Sequence, residues 1–242
     1  MSELTNFQMV NHFHNVFGYQ NNTEIQYDIL MDEKLIRFRI AMLTEEFNEF
    51  IVALKNNDFK ECIDAICDLL YFTYGTFDII GFNFDKAIQL GKNYKYLDYC
   101  FKAKNEKIFT DPKYKFDMDF HLSYILQNIE KLVFYLENKN IENFMWHLNK
   151  IERTCQTLGT LFGVDINRCF LDVHNSNMTK LCLTEDEAQK TVEHYNKMYS
   201  EEKSTYKNVG HKRSCEYWIV YDLDTGKILK SINFKLPKFY FE

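Results

Sequence analysis

Proline is nearly missing and glycine is sparse: the 242 residues include two prolines and eight glycines. With so few helix breakers, a compact and mostly helical chain is favoured over a disordered one. A surplus of positive charge is lacking too. The formal net charge is −6, which gives no support for non-specific nucleic-acid binding, because that needs a basic surface. No apolar run approaches the roughly 20 residues of a membrane span, so no membrane partner is expected. Cysteine pairs with zinc-site spacing are absent. Cys62, Cys67, Cys100, Cys155, Cys169, Cys182 and Cys215 are odd in number, scattered, and mostly set in apolar contexts such as ICDLLY and RCFLDV. No charged-then-apolar leader opens the chain, so reduced thiols and a cytoplasmic location are expected.

What is present is apolar and aromatic matter, at 46% and 17% of residues, ample for one large domain or two small ones. In NFQMVNHFHNVFG, Phe7, Val10, Phe13 and Phe17 recur at helical spacing, and Gly18 is a natural stop. A longer periodic segment runs from about 31 to 55. KNNDF breaks it, Asp58 offers an N-cap, and the next helix ends near Gly81. A shorter helix is expected over 84–97, and the lysine-rich stretch 98–115 reads as a linker. Later, Thr184 caps an amphipathic helix in EDEAQKTVEHYNKMY. EYWIVYDLDTGKILKSINF then reads as a β-hairpin, with Tyr217, Ile219 and Tyr221 before a DTGK turn and Ile228, Lys230 and Ile232 after it.

Residues 55–88 align on 137–170 without a gap, at an offset of 82. Leu54/Leu136, Asn56/Asn138 and Gly81/Gly163 are identical, and Ile63/Met145, Ile66/Leu148 and Ile79/Leu161 keep the apolar register. Any two helical hairpins agree somewhat, but here the helix breaks and the register agree together, which favours an internal duplication. The expected fold class is all-α, a bundle of duplicated helical hairpins with a small C-terminal β-hairpin. Its parts are an N-terminal half (1–97), the linker (98–115), a degenerate second half (116–182), and a C-terminal helix and β-hairpin (183–242).

AMLTEEFNEF (41–50) and ECIDAICDLLY (61–71) place acids in otherwise apolar helices. Glu46 and Glu49 are three residues apart, as are Glu61 and Asp64, so each pair shares a helix face. The short loop makes the helices antiparallel neighbours, and the pairs can face each other. Carboxylates gathered without cations would repel and be costly to desolvate. An all-oxygen set suits Mg²⁺, with Mn²⁺ as a substitute. The plainer reading is two solvated helix faces. Against it, few lysines stand at the i+4 positions, and the second hairpin lacks these acids. Gln127, Asn128 and Lys131 replace Glu45, Glu46 and Glu49, while Asn143 and Trp146 replace Glu61 and Asp64. A di-iron bundle would need Glu-x-x-His, which neither stretch supplies.

On these residues the chain resembles the all-α NTP pyrophosphohydrolases, the superfamily of MazG, dimeric dUTPase and phosphoribosyl-ATP pyrophosphohydrolase. Its E-x-x-E and E-x-x-D marks are matched by Glu46–Glu49 and, after eleven intervening residues, Glu61–Asp64. ECIDAICDLLYFTYGT, VHNSNMTKL (173–181) and GKILKSINFKLP (226–237) are similar to segments of phosphoribosyl-ATP pyrophosphohydrolase-like members. The degenerate hairpin between them departs from the family pattern.

The resemblance implies a MazG-like bundle and Mg²⁺-dependent cleavage of a nucleoside triphosphate between its α and β phosphates. The products would be a nucleoside monophosphate and pyrophosphate. Glu46, Glu49, Glu61 and Asp64 are implied metal ligands, and Glu45 would hold a further cation or accept the water's proton. Lys180 would meet the phosphates, and Asn177 the phosphate or sugar. Lys180 also reads as a helix-end lysine, Asn177 as a cap, and Asp68 as a group behind the ligands or a partner of Lys180. A homodimer, phosphoribosyl-ATP as substrate, and a catalytically inactive helical scaffold all fit the same resemblance.

Overall fold

In the computed structural model, residues 4–90 and 106–239 are described. The helices are α1 (Asn6–Phe17), α2 (Glu33–Lys55), α3 (Phe59–Ile80), α4 (Phe84–Leu90), α5 (Pro112–Glu137), α6 (Ile141–Phe162), α7 (Ile166–Met178) and α8 (Glu185–Ser200); two strands follow, β1 (Val209–Ser214) and β2 (Tyr217–Asp222). Residues 91–97 of the expected fourth helix and 98–105 of the expected linker lie outside the described residues. The end of that linker is already structured. A 3₁₀ turn spans Glu106–Phe109, and α5 opens on Pro112, where a missing N–H has no helical partner to lose. Among the described residues, no helix is long and apolar enough to cross a membrane.

The chain divides into two compact units, with the divisions falling inside α1 and α7. Of the described residues, the first holds 4–11, 21–90, 106–171 and Phe239; the second holds 12–20 and 172–238. In the first unit, α2 packs on α3, α5 on α6, α3 on α6 and α2 on α5, which closes a four-helix bundle. Its core includes Ile36, Leu43 and Phe50 of α2, Ile63, Ile66 and Phe77 of α3, Ile125 and Leu132 of α5, and Phe144, Leu148 and Phe162 of α6.

The offset of 82 recurs in the backbone. Asn57 and Lys139 take φ of 54° and 52° in equivalent turns. Asp58 and Asn140 cap α3 and α6 by accepting the N–H of Glu61 and Asn143. Gly81 and Gly163 end those helices in the left-handed region, at φ of 83° and 70°. At Gly81 the requirement is double, because a Cβ there would also collide with the Glu24 carbonyl.

In the second unit, α8 and the strands enclose a small core of Cys182, Ala188, Val192, Val220 and Leu229. Thr184 caps α8 by accepting the Glu187 N–H at 3.2 Å. The β-hairpin differs in its pairing from the sequence expectation. β2 is the expected strand, but its partner is the upstream β1, through Val209↔Asp222 to Ser214↔Tyr217. The residues after DTGK form only an isolated bridge, Tyr221↔Ile228. The reason is local: the Asp222 carboxylate accepts from the N–H and hydroxyl of Thr225, folding the DTGK turn back onto the last residue of β2. Lys230 N–H then donates to the Tyr195 hydroxyl, and Ser231 Oγ to the Thr179 carbonyl, which draws the chain off the ladder.

Candidate functional site

The acids singled out in the sequence lie on α2 and α3, and α3 decides which can act together. From Cys62 to Gly81 every residue is buried except Asp64, Asp68 and Phe72. Those three recur every four residues, so they form one narrow stripe on an otherwise enclosed rod. Arg39, 4% exposed, joins α2 to this stripe. Its guanidinium donates to the Phe72 carbonyl at 2.9 Å and to the Thr76 hydroxyl at 3.2 Å, and sits 5.1 Å from the centre of the Phe72 ring. These bonds set the register of the hairpin, with Arg39 level with the turn Phe72–Thr76.

Glu46 is seven residues beyond Arg39, two turns along the same face of α2. Antiparallel packing carries that level to Ala65–Leu69 on α3. Counting outward from Asn57 in the loop agrees, since Glu46 and Asp68 each stand eleven residues away. Glu49 comes level with Ala65, next to Asp64. Glu61 lies about 10 Å nearer the loop than Asp68, at 1.5 Å per residue. At this register Glu46 stands level with Asp68, and Glu49 with Ala65 beside Asp64, while Glu61 lies nearer the loop. Glu45, Glu46, Asp64 and Asp68 are half-buried, while Glu49 and Glu61 are exposed.

Neighbouring groups register the same division of charge. Burial pushes the Cys67 thiol well up, with Cys169, Asp68 and Asp64 adding to it. Burial raises Tyr71 as well, assisted by Asp68. Cys62, toward the loop, is pushed up to about 12 by burial, then by Asp58 and Glu61. Asp64 and Asp68 thus charge the groove, while Asp58 and Glu61 charge the start of α3, where the helix dipole favours an acid. Asp68, level with Glu46, is a further candidate beside Asp64. Its signal was legible: it is one helical turn past Asp64 and as far from the loop as Glu46.

In chemistry the donor set suits a hard cation, being carboxylate oxygen throughout, half-buried at Glu46, Asp64 and Asp68 and exposed at Glu49 and Glu61. Among the described residues, no group of three or more His, Cys, Asp or Glu is already arranged to hold a metal ion. A cation in this groove would therefore have to draw the side chains inward.

Asn177 and Lys180 belong to the second unit. Asn177 is buried at the end of α7, and its carbonyl accepts the Lys180 N–H at 3.1 Å, so SNMTK forms the closing turn of that helix. The tail ties into this turn: Ser176 Oγ donates to the Lys235 carbonyl at 2.7 Å, and Lys235 N–H to Thr179 Oγ1 at 2.9 Å. VHNSNMTKL and GKILKSINFKLP are thus bonded to one another. His174 is buried with its ring 6.0 Å from that of His12. Burial, helped by His12, lowers its pKa to about 4, so the imidazole is neutral at neutral pH.

Residues 10–89, which contain the whole α2–α3 hairpin and all its acids, match the family described as phosphoribosyl-ATP pyrophosphohydrolase. The chain belongs to the all-α NTP pyrophosphohydrolase superfamily. An uncharacterized protein of Acanthamoeba polyphaga mimivirus, L479, is 34% identical over 252 residues, covering 98% of this chain and 95% of its own. No solved structure matches the chain. The family match makes this protein a pyrophosphohydrolase-type hydrolase, and it centres that identity on the first hairpin. The second hairpin and the SNMTK turn lie beyond the matched residues, but inside the span shared with the mimivirus protein.

Proposed function

We propose that this chain is a Mg²⁺-dependent nucleoside triphosphate pyrophosphohydrolase that cleaves between the α and β phosphates, releasing a nucleoside monophosphate and pyrophosphate. The observation that carries the proposal is the stripe of Asp64 and Asp68, which with Phe72 are the only residues of Cys62–Gly81 not buried, level with Glu46 and Glu49 across the hairpin. Glu46, Asp64 and Asp68 would hold a cation in the groove. The longer, exposed Glu49 and Glu61 would hold one at its outer end. Mg²⁺ bound there supplies charge neutralisation for the phosphates and an activated in-line water. Glu45, about 100° round α2 from Glu46, would accept the proton of that water as the phosphoanhydride bond breaks. Asn177 and Lys180 are assigned phosphate contacts through the likeness of the SNMTK segment alone.

A second substrate, phosphoribosyl-ATP, is favoured by the description of the matched family and needs the same metal chemistry. The deciding experiment measures pyrophosphate release with Mg²⁺ from a panel of NTPs and dNTPs, with phosphoribosyl-ATP alongside. Release from the panel supports the first substrate class, and release from phosphoribosyl-ATP alone supports the second. No release from any of them leaves a catalytically inactive scaffold. Glu49→Ala and Asp64→Ala should abolish release; unchanged rates would mean that the groove is not the active site.

A further inference from the structure

The second hairpin keeps the backbone plan of the first and reverses the charge of its groove. At the offset of 82, Glu46, Glu49, Asp64 and Asp68 become Asn128, Lys131, Trp146 and Lys150. Asn128 is committed to the fold. Its side chain donates to the Tyr124 carbonyl and faces His147 Nδ1 at 2.7 Å. His147 is held below its ordinary pKa by burial and by the charges of Lys150 and Lys131. Of the two lysines, Lys150 lines the cavity between α5 and α6, and Lys131 lies over the Phe134 ring. Four acids have given way to two cations.

A cavity of about 360 Å³ opens here, lined among others by Phe120, Tyr124, Trp146, Asn149, Lys150 and Arg153, with no carboxylate in its lining. That volume lies at the small end of ligand pockets. Phe120 and Trp146 leave large aromatic surfaces in solvent, 58% and 54% exposed. The Lys150 ammonium stands 3.5 Å from the centre of the Trp146 ring and 5.5 Å from that of Tyr124. Cation–π attraction holds the ammonium against the Trp146 ring, at the mouth of the cavity that Lys150 lines. A second cavity of about 290 Å³, walled by Phe77, Phe82, Phe84 and Met145 and by the carboxylates Glu142 and Glu152, shares Trp146, Asn149 and Arg153 with the first.

We propose that this charge-reversed groove binds a nucleoside monophosphate without metal, the phosphate at Lys150 and Arg153 and the base against Trp146. Lysines repel a divalent cation and attract a phosphate dianion directly. A monophosphate matches that charge, whereas a triphosphate travels with its own Mg²⁺. Aromatic faces supply stacking that tolerates any base. The inference goes beyond hydrolysis at the first hairpin and does not depend on it.

Equilibrium dialysis of the full chain with labelled AMP in EDTA tests the proposal. Saturable binding is expected, at least tenfold tighter than that of adenosine or inorganic phosphate. Lys150→Glu and Trp146→Ala should each weaken it at least tenfold, and Asp68→Asn should leave it unchanged. Lys150→Gln, which keeps most of the side-chain stem, repeats the test should the charge reversal disturb folding, as checked by circular dichroism. The proposal fails if AMP does not bind without metal, or if the Lys150 and Trp146 variants bind like the wild type. It fails equally if Asp68→Asn removes binding, or if a single-stranded oligonucleotide of about ten residues binds tighter than AMP.

Discussion

Arg39 is a single side chain with consequences for every acid below it. Its bonds to Phe72 and Thr76 lock two helices in register, and that register ranks the carboxylates. Asp68→Asn should lower kcat about 100-fold or more, at or beyond the top of the roughly 10- to 100-fold range seen when groups behind a metal's ligands are disturbed. Glu61→Gln, at the outer end, should lower it less, and steady-state pyrophosphate release compares the two. His174 offers a separate test in the second unit. Its folded pKa, about 4, lies below the unfolded value of about 6.5. The unfolded chain therefore takes up the proton first as pH falls. The contribution to stability is fully present above about pH 6.5 and is lost progressively toward pH 4, roughly 3 kcal/mol in all. In urea titrations, wild type and His174→Gln should run parallel above pH 7, and the wild type should fall faster below it.

Caps and turns are where local sequence was most legible, because their chemistry involves neighbours within a few residues. Asp58, Thr184 and Gly81 were expected at helix ends and are found there. Gly81→Ala should destabilise the chain by about 2 kcal/mol or more, since the site needs positive φ and leaves no room for a Cβ; thermal melting would show it. The partner of β2 was less legible. VGHKRS carries glycine and three basic side chains and reads poorly as a strand, while ILKSINF alternates well. The choice was made by Asp222 closing on Thr225 and by the tail's bonds to Tyr195 and Thr179, which join residues distant in sequence.

Across the whole molecule, two hairpins of one plan carry opposite charge in their grooves. The first should bind Mg²⁺ and be stabilised by it, by about 2.7 kcal/mol when the free ion is at 100 times its Kd. Differential scanning fluorimetry with increasing Mg²⁺ should show a rising Tm, and Glu46→Gln with Asp68→Asn should remove the rise. Sequence alone determined the helical class, the repeat at 82 residues and the stretch that holds the acids, since each follows from spacing along the chain. Which carboxylates share a level across the hairpin was decided only by tertiary structure. Level across a hairpin depends on how two helices slide past each other, and here a buried guanidinium stops that sliding at one place.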